Sequence, residues 1–495
     1  MIYPHSSLSH FIHKKAVFLV FLLLGLSHFL QVATAQNSTP PEPMREFRGT
    51  WVATVFNLDW PSSDRISAAS QQSQLIAIFE NAKRLKMNAV VLQVRPNSDA
   101  LYRSSLEPWS AWLTGSMGTD PGYDPLAFAV TEAHRRGLQL HAWVNPFRAL
   151  ATEKGGVAKN HVSRRHPEWI RRYGSQLFVD PGLPEVRDYV QKIILDIVRR
   201  YDIDGLHLDD YFYPYPLGKA EFPDGAAYRK YGGGQSRAEW RRGNVNRFIS
   251  SLYSAIKSEK RHVLFGVSPF GIWQPGIPAT TTAGINAYET LGCDAKLWLQ
   301  RGWLDYLSPQ LYWTSDSEGQ SFPALFDWWS AQNTVNRHLW PGIATERIGS
   351  GRAAAEQSRQ INTIRRGMGT AGHIHWNNKA LMQNRGGIST LLAQATYGSL
   401  ALVPASPWLD RAKPTAPSLV TKDKAGVQYV DWDGSNQEIS SYLVQWKNTT
   451  GWTSQVIGSS NTGIAWPGGK DVVRSVVVRA VSRTGILSDA VTLQR

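Results

Sequence analysis

From residue 46 onward the chain alternates between two hydrophobic rhythms. Short, largely apolar runs at residues 47–55, 89–96, 138–146, 203–210, 263–269, 306–313, 340–347 and 372–377 read as eight strands. Between them the apolar positions recur at helical spacing. Residues 71–86 put Leu75, Phe79, Ala82 and Leu85 on one face and end in Lys and Arg. Asp124 and Pro125 read as an N-cap and a first-turn proline, with Gly137 closing that helix. Residues 185–201 carry Val186, Val190, Ile193 and Ile197 on one stripe, and Ser236 with Glu239 forms a capping box for a helix running through Ser254. Residues 323–336, 353–366 and 388–400 complete the set. This alternation predicts an α/β fold, a (β/α)8 TIM barrel spanning residues 46–412. Its enlarged loops follow the first five strands, at the end where barrel active sites form. A doubly wound sheet is the rival, but no Gly-rich phosphate loop follows the first strand.

After residue 412 the rhythm changes. Lys413 to Pro417 reads as a hinge, and residues 413–495 show no helical period. Alternating runs at 427–432, 441–446, 463–466 and 472–481 predict a small β-sandwich resembling a fibronectin type III module. At the other end, Lys14 and Lys15 precede an apolar run over 16–26, and Ala33, Thr34 and Ala35 form a small-x-small cleavage site. Residues 1–35 are therefore expected to be a signal peptide and the polar, Pro-rich residues 36–45 a linker. No Cys stands at the cleavage point, which argues against a lipoprotein anchor. An uncleaved anchor is the alternative, although His28, Gln31 and Gln36 interrupt it. No other long apolar run predicts a membrane span in the mature chain.

Composition narrows the setting. The chain has 495 residues, 42% apolar and 19% charged, an ordinary globular balance with ample core. Cys293 is the only cysteine, which excludes an internal disulfide and fits a bacterial periplasm or cell surface. Net charge is +14, or +12 once the leader is removed. Exported basic proteins meet anionic polymers, and export argues against nucleic acid as the partner. The sequence does not fix an oligomeric state.

Strand alternation then locates candidate chemistry, because alternate side chains face the interior of a barrel. Gln93 and Arg95 share one face. So do His141, Trp143 and Asn145, then His207 and Asp209, then Ser308, Gln310 and Tyr312, then Gly342, Ala344 and Glu346. The opposite faces are apolar, so the polar faces are expected to point inward, clustered toward the strand C-termini. Asp209, its neighbour Asp210 and Glu346 are the acids in that set, hence the catalytic candidates. Asp209 and Glu346 would flank a glycosidic bond as acid and nucleophile or base. Alternatively Asp209 and Asp210 act as a pair, one as acid and the other orienting a substrate N-acetyl group that serves as internal nucleophile. Gln93, Arg95, Asn97, Asn145, Arg148 and Gln310 are candidate readers of hydroxyl and carbonyl groups, joined by His141 and His207. Trp51, Trp143, Tyr211, Tyr213, Tyr312, Trp313 and Trp376 offer stacking faces for sugar rings. His373 and His375 share a face but have no acidic partner nearby in sequence, so no metal and no cofactor is predicted.

Five segments together resemble a known family: 48–53 (RGTWVA), 92–97 (LQVRPN), 141–146 (HAWVNP), 179–182 (VDPG) and 204–214 (DGLHLDDYFYP). They fall in order as in the bacterial glycosyl-hydrolase-like family ten, over roughly residues 46–402. The resemblance implies an exported TIM-barrel glycosidase. Some relatives act on peptidoglycan glycan strands, and the family's acid pair corresponds to Asp209 and Asp210. The expectation is therefore an exported glycoside hydrolase of an N-acetylated cell-envelope polysaccharide, with peptidoglycan as first candidate. A non-catalytic glycan-binding envelope protein is the alternative.

Overall fold

The computed structural model describes residues 39–153, 156–367, 371–433, 438–468 and 473–494. The expected signal peptide, its cleavage site and the first linker residues lie outside these. Nine parallel strands form one curled sheet: β1 (Phe47–Val52), β2 (Ala89–Arg95), β3 (Gln139–Val144), β4 (Gly205–Leu208), β5 (Leu264–Val267), β6 (Tyr306–Leu307), β7 (His338–Leu339), β8 (Gly342–Ala344) and β9 (Gly372–Trp376). Their order is β7-β6-β5-β4-β3-β2-β1-β9-β8. The two edges, β7 and β8, are consecutive in sequence and separated only by Trp340 and Pro341. Gly342 N–H donates to Pro309 O at 2.9 Å and Leu311 N–H to Gly342 O at 3.0 Å, so β8 bonds to the segment that continues β6. The expected seventh strand is thus two pieces, because proline cannot donate to the ladder. The expected sixth strand stops at Leu307 for the same reason: Pro309 follows.

Both sheet faces are buried. Val90, Leu92, Val94, Leu140, Val144, Leu206, Leu208, Phe265 and Ile343 pack outward against the helices. Inside the curl sit Phe47, Trp51, Val91, Trp143, Leu264, Tyr306, Trp340 and Ile374. The interior is therefore not polar throughout, as alternation alone suggests. Its lower part is filled by aromatic rings, and polar groups gather only above them. Small residues make the room: a Cβ at Gly266 would lie 1.9 Å from the Tyr306 ring.

The helices follow their sequence signals. Asp124 accepts from Ala127 N–H to cap Pro125–Arg135, and the Ser236/Glu239 capping box opens Arg237–Glu259. Ala68–Arg84, Pro184–Arg200 and Ala354–Arg366 bury the stripes expected of them. Residues 388–400 differ: Ile388–Leu391 is one helical turn that runs into a π-helical turn, Leu392–Thr396.

The segment expected as a linker is partly structured. Met44–Arg45 pairs in parallel with Ala401–Leu402 at the foot of the sheet. Glu42 ion-pairs with Arg479, and Pro41 O accepts from Gln445 Nε2 at 2.9 Å. Beyond the hinge, two antiparallel sheets face each other. One holds Leu419–Lys424, Val427–Trp432 and Gly463–Ala465; the other holds Gly451–Gly458, Ile439–Asn448, Ser475–Ser482 and Val491–Gln494. Val430, Trp432, Tyr442, Val444, Val476 and Val478 form their shared core. This β unit rests on the strand N-termini of the curled sheet. Arg483 pairs with Asp202 and lies 3.6 Å from Asp204, and Asn461 donates to Arg135 O at 3.4 Å. Among the described residues no helix is long and apolar enough to cross a membrane.

Candidate active site

β4 ends at Leu208, and the next two residues are Asp209 and Asp210, both almost fully buried. Both line one cavity of ≈ 250 Å³ at the strand C-termini, together with Trp51, Trp143, Tyr211, Tyr215, Ser268, Gln310, Tyr312 and Trp376. Trp376 meets Trp51 and Trp143 edge-on, with ring centroids 6.2 and 6.1 Å away. These aromatic faces beside paired acids suit a pyranose ring, whose axial C–H faces are apolar and whose rim is polar. A larger hollow of ≈ 680 Å³ occurs at the junction with the C-terminal β unit, lined by Trp408, Arg483 and neighbours, but it holds no comparable acid pair.

The two carboxyls differ in their surroundings. Burial pushes the Asp209 carboxyl up to about 7; the neighbouring Asp210 adds to the rise and Arg148 opposes it. One Asp209 oxygen, Oδ1, is buried without a hydrogen-bond partner. Asp210 is also raised by burial, but two donors work against that rise: the Tyr215 hydroxyl, which bonds its Oδ2, and the Gln310 side chain. Two like charges this close do not both ionise readily. Asp209, with the bare oxygen, is the better holder of the shared proton, and Asp210, with the donors, is the better anion. That division gives one proton donor and one fixed negative charge in the same cavity.

The remaining candidates separate into walls and supports. Trp51, Trp143, Tyr211, Gln310, Tyr312 and Trp376 are walls. Gln93 and Asn145 lie behind Asp209: Gln93 Nε2 donates to Asn145 Oδ1 at 2.6 Å, and Asn145 Nδ2 donates to Asp209 Oδ2. Arg148 places its guanidinium 4.3 Å from the centre of the Tyr211 ring, outside the lining. Arg95, expected among the readers, does not line the cavity. It is fully buried in a 2.6 Å ion pair with Glu107 and donates to Asn145 O. Asn97 closes the same loop by accepting from Ala151 N–H at 3.0 Å. His141 and His207 sit below the cavity, both bonded to the Tyr306 hydroxyl.

Three expected contacts are displaced, and each lies past the end of its strand, where loop packing sets side-chain direction. Tyr213 turns into the core against Phe222 and Arg241. Trp313 packs on Phe270, 5.8 Å between centroids. Glu346 falls in a 3₁₀ turn, Thr345–Arg347, beyond β8. It sits 3.4 Å from Arg347 and is not part of the cavity wall. Two wall residues were not anticipated. Ser268 lies on the inward face at the end of β5, where the alternation used for Asp209 finds it. Tyr215 belongs to the aromatic run after the acids, but nothing in that run marks which hydroxyl turns back. His373 and His375 lie outside the cavity wall and share the Tyr397 hydroxyl. Among the described residues no group of three or more His, Cys, Asp or Glu side chains is arranged to hold a metal ion.

The family described as Glycosyl hydrolase-like 10 matches residues 46–359. "Glycosyl hydrolase YngK" of Bacillus subtilis (strain 168) is 40% identical over 426 residues, covering 83% of this chain and 82% of that one. "Glycosyl hydrolase DigH" of Escherichia coli (strain K12) is 39% identical over 339 residues, covering 64% and 76%. Among solved structures, the PgaB (BpsB) glycoside hydrolase domain from Bordetella bronchiseptica aligns at 15% identity with a TM-score of 0.46, covering 71% and 98%.

Proposed function

The chain belongs to the glycosyl hydrolase-like 10 family, and on that premise we propose that it is an exported glycoside hydrolase of an N-acetylated cell-envelope polysaccharide, with peptidoglycan glycan strands as substrate. The observation that carries this reading is the pair of unlike carboxyls, Asp209 and Asp210, in one aromatic-walled cavity. Asp209 gives its proton to the glycosidic oxygen as the bond to the anomeric carbon breaks. Asp210, held by Tyr215 and Gln310, faces the positive charge that develops on the sugar. It is also placed to orient an N-acetyl group whose carbonyl oxygen attacks the anomeric carbon. A scheme in which Asp209 and Glu346 flank the bond has less support, because Glu346 stands outside the cavity wall.

Net positive charge and the guanidinium groups of Arg347 and Arg352, both donating to the carbonyl of wall residue Tyr312, favour an anionic glycan. We read the curled sheet as a (β/α)8 barrel domain over residues 46–412 and the C-terminal unit, 413–495, as a fibronectin type III-like sandwich. Residues 1–35 are read as the export signal and the segment up to residue 45 as the connection. The deciding experiment digests purified sacculi, with and without prior amidase treatment, and analyses the products by mass spectrometry. Release of muropeptides or sugar fragments by the wild type and not by Asp209→Asn supports the hydrolase. Binding to sacculi without release from any wall substrate supports a glycan-binding protein instead.

A further inference from the structure

Behind Asp209 runs a chain of hydrogen bonds whose direction is fixed from one end. Gln93 Oε1 accepts from the backbone N–H groups of Thr54 at 2.8 Å and Val55 at 2.9 Å. Backbone N–H groups only donate, so this end of the Gln93 amide has to be its oxygen. Its nitrogen therefore faces Asn145 and donates to Oδ1 at 2.6 Å. The Asn145 amide is thereby oriented as well, and its nitrogen donates to Asp209 Oδ2. The Asn145 backbone is held as well, by Asn145 N–H to Arg95 O at 2.9 Å and Arg95 Nη1 to Asn145 O at 2.6 Å, so its amide stays between Gln93 and Asp209 and takes its sense from Gln93. An oxygen that receives an N–H from a side chain of fixed sense is not free to carry a hydrogen aimed at that same neighbour. What is left is Oδ1, the buried oxygen without a partner.

We propose that Gln93 and Asn145 are positioning residues that hold the Asp209 proton on Oδ1, the oxygen that delivers it to the leaving group, with the sense of the whole chain set by the Thr54 and Val55 amides. The proposal rests on the reading of Asp209 as the acid. In the step itself, the Oδ1–H bond breaks, its proton moves to the glycosidic oxygen, and the electron pair of the breaking C–O bond stays on that oxygen. The resulting Asp209 carboxylate still accepts from Asn145, so the acid is reset without rearranging its support. The other groups that act on Asp209 are Arg148 and Asp210, with the Tyr211 N–H and the Trp143 indole directed at the carboxyl but making no hydrogen bond to Oδ1. None of these fixes which oxygen is protonated, as the Asn145 contact does.

A neutron structure of the wild-type protein grown from deuterated buffer at mildly acidic pH reads the proton directly, and needs no turnover. The expected result is a deuteron on Oδ1 with the deuterated Asn145 amide nitrogen pointing at Oδ2. A deuteron on Oδ2, or Asn145 Oδ1 facing Asp209, overturns the proposal even where glycan cleavage is real. Conversely, loss of the glycosidase reading leaves this result standing on its own. The kinetic companion is Gln93→Glu. The introduced carboxylate, when ionised, still accepts from Thr54 and Val55 but has no hydrogen for Asn145. Asn145 then turns its nitrogen to that carboxylate and its oxygen to Asp209, drawing the proton to Oδ2. A fall in kcat of about 10²- to 10³-fold at neutral pH with KM within about threefold is expected. Activity should return at low pH, where protonation of the introduced carboxyl supplies the missing donor. A pH profile parallel to the wild type, or a loss confined to KM, would mean that Gln93 only packs.

Discussion

The Trp51 indole nitrogen donates to Nε2 of His207 at 3.2 Å, across the interior of the curled sheet. An indole N–H never accepts, so this single contact fixes the His207 tautomer with its hydrogen on Nδ1. Nδ1–H then donates to the Tyr306 oxygen at 3.0 Å, the Tyr306 hydroxyl donates to His141 Nδ1 at 2.9 Å, and His141 Nε2–H reaches Gln139 Oε1 at 3.2 Å. Burial holds both imidazoles neutral, His141 down to about 4 and His207 well below its ordinary value. Four buried side chains in a row are thus mutually satisfied beneath the cavity. Tyr306→Phe removes the link that both histidines use and leaves two buried ring nitrogens unpaired. The expected loss of stability is about 2–4 kcal/mol, measured by urea unfolding. Since neither histidine titrates near neutrality in the native state, the pH–activity profile of this variant should keep the wild-type shape.

With Asp209 as the proposed acid, its titration is expected to set the alkaline limb of that profile. Its folded value, near 7, lies above the unfolded one of about 4, so the native state keeps the proton longer than the unfolded chain does. kcat/KM for glycan cleavage should fall with unit slope as pH rises through about 7, the value at which the acid is lost. The same linkage has a thermodynamic side. The stabilisation associated with protonated Asp209 is complete below the unfolded value and disappears as pH rises through the folded one. Asp209→Asn should therefore abolish turnover by about 10²-fold or more while becoming more stable than wild type at about pH 8 by roughly 1–4 kcal/mol, a gain absent at about pH 4. Melting curves at the two pH values check this; equal shifts at both would refute the assignment.

Asp59 ties two cavity walls together. Its Oδ2 accepts from Ala53 N–H and its Oδ1 from Lys379 N–H, both at 2.8 Å, which joins the chain leaving Trp51 to the chain leaving Trp376. Burial pushes its carboxyl up to about 6, partly offset by these two donors. Asn in its place offers an oxygen to one amide and sets an NH₂ against the other. Asp59→Asn should cost about 1–3 kcal/mol and raise KM more than it lowers kcat. An unchanged KM with the full stability loss would confine Asp59 to a structural role.

The Arg95–Glu107 pair makes a different kind of prediction. Both side chains are fully buried, and among the described residues each is the other's only charge partner within salt-bridge distance. Glu107→Gln leaves the guanidinium without its counter-charge and should destabilise by about 3–5 kcal/mol. Arg95→Met combined with Glu107→Leu removes both charges and should recover most of that loss. Such a double variant would still be slow, because Arg95 also anchors the Asn145 carbonyl at 2.6 Å. Calorimetry and kcat measured on the same samples separate the two effects.

How far these residues could be read from the chain depends on where each one sits. Alternation found the inward face of β2, β3 and β4, and so found Gln93, Asn145 and Asp209, because a strand buried on both sides fixes side-chain direction. It misplaced Glu346, and the grouping of aromatics misplaced Trp313 and Tyr213; all three lie past the last ladder bond, where direction is set by loop packing. It also could not tell a ligand reader from a buried support. Arg95 sits on the same inward face as Gln93, and only its partner Glu107, supplied by the following loop, reveals that its charge is already spent. The break in the last staves was marked in the sequence by Pro341 and Pro309, although the pairing that closes the gap was not. The sandwich core was visible as alternating runs. Its seat against Asp202 and Asp204 depends on Arg483, and no local pattern announces that contact.

That seat has a consequence for how a long polymer meets the protein. The acids open at one pole of the cylinder, and the β unit is fastened to the other by Arg483 and by the stretch around Glu42. On the proposed function, a glycan engaged by the aspartates lies at the pole away from the appendage. The β unit therefore stands at the pole away from the acids, and whatever it binds is held there rather than at the cavity.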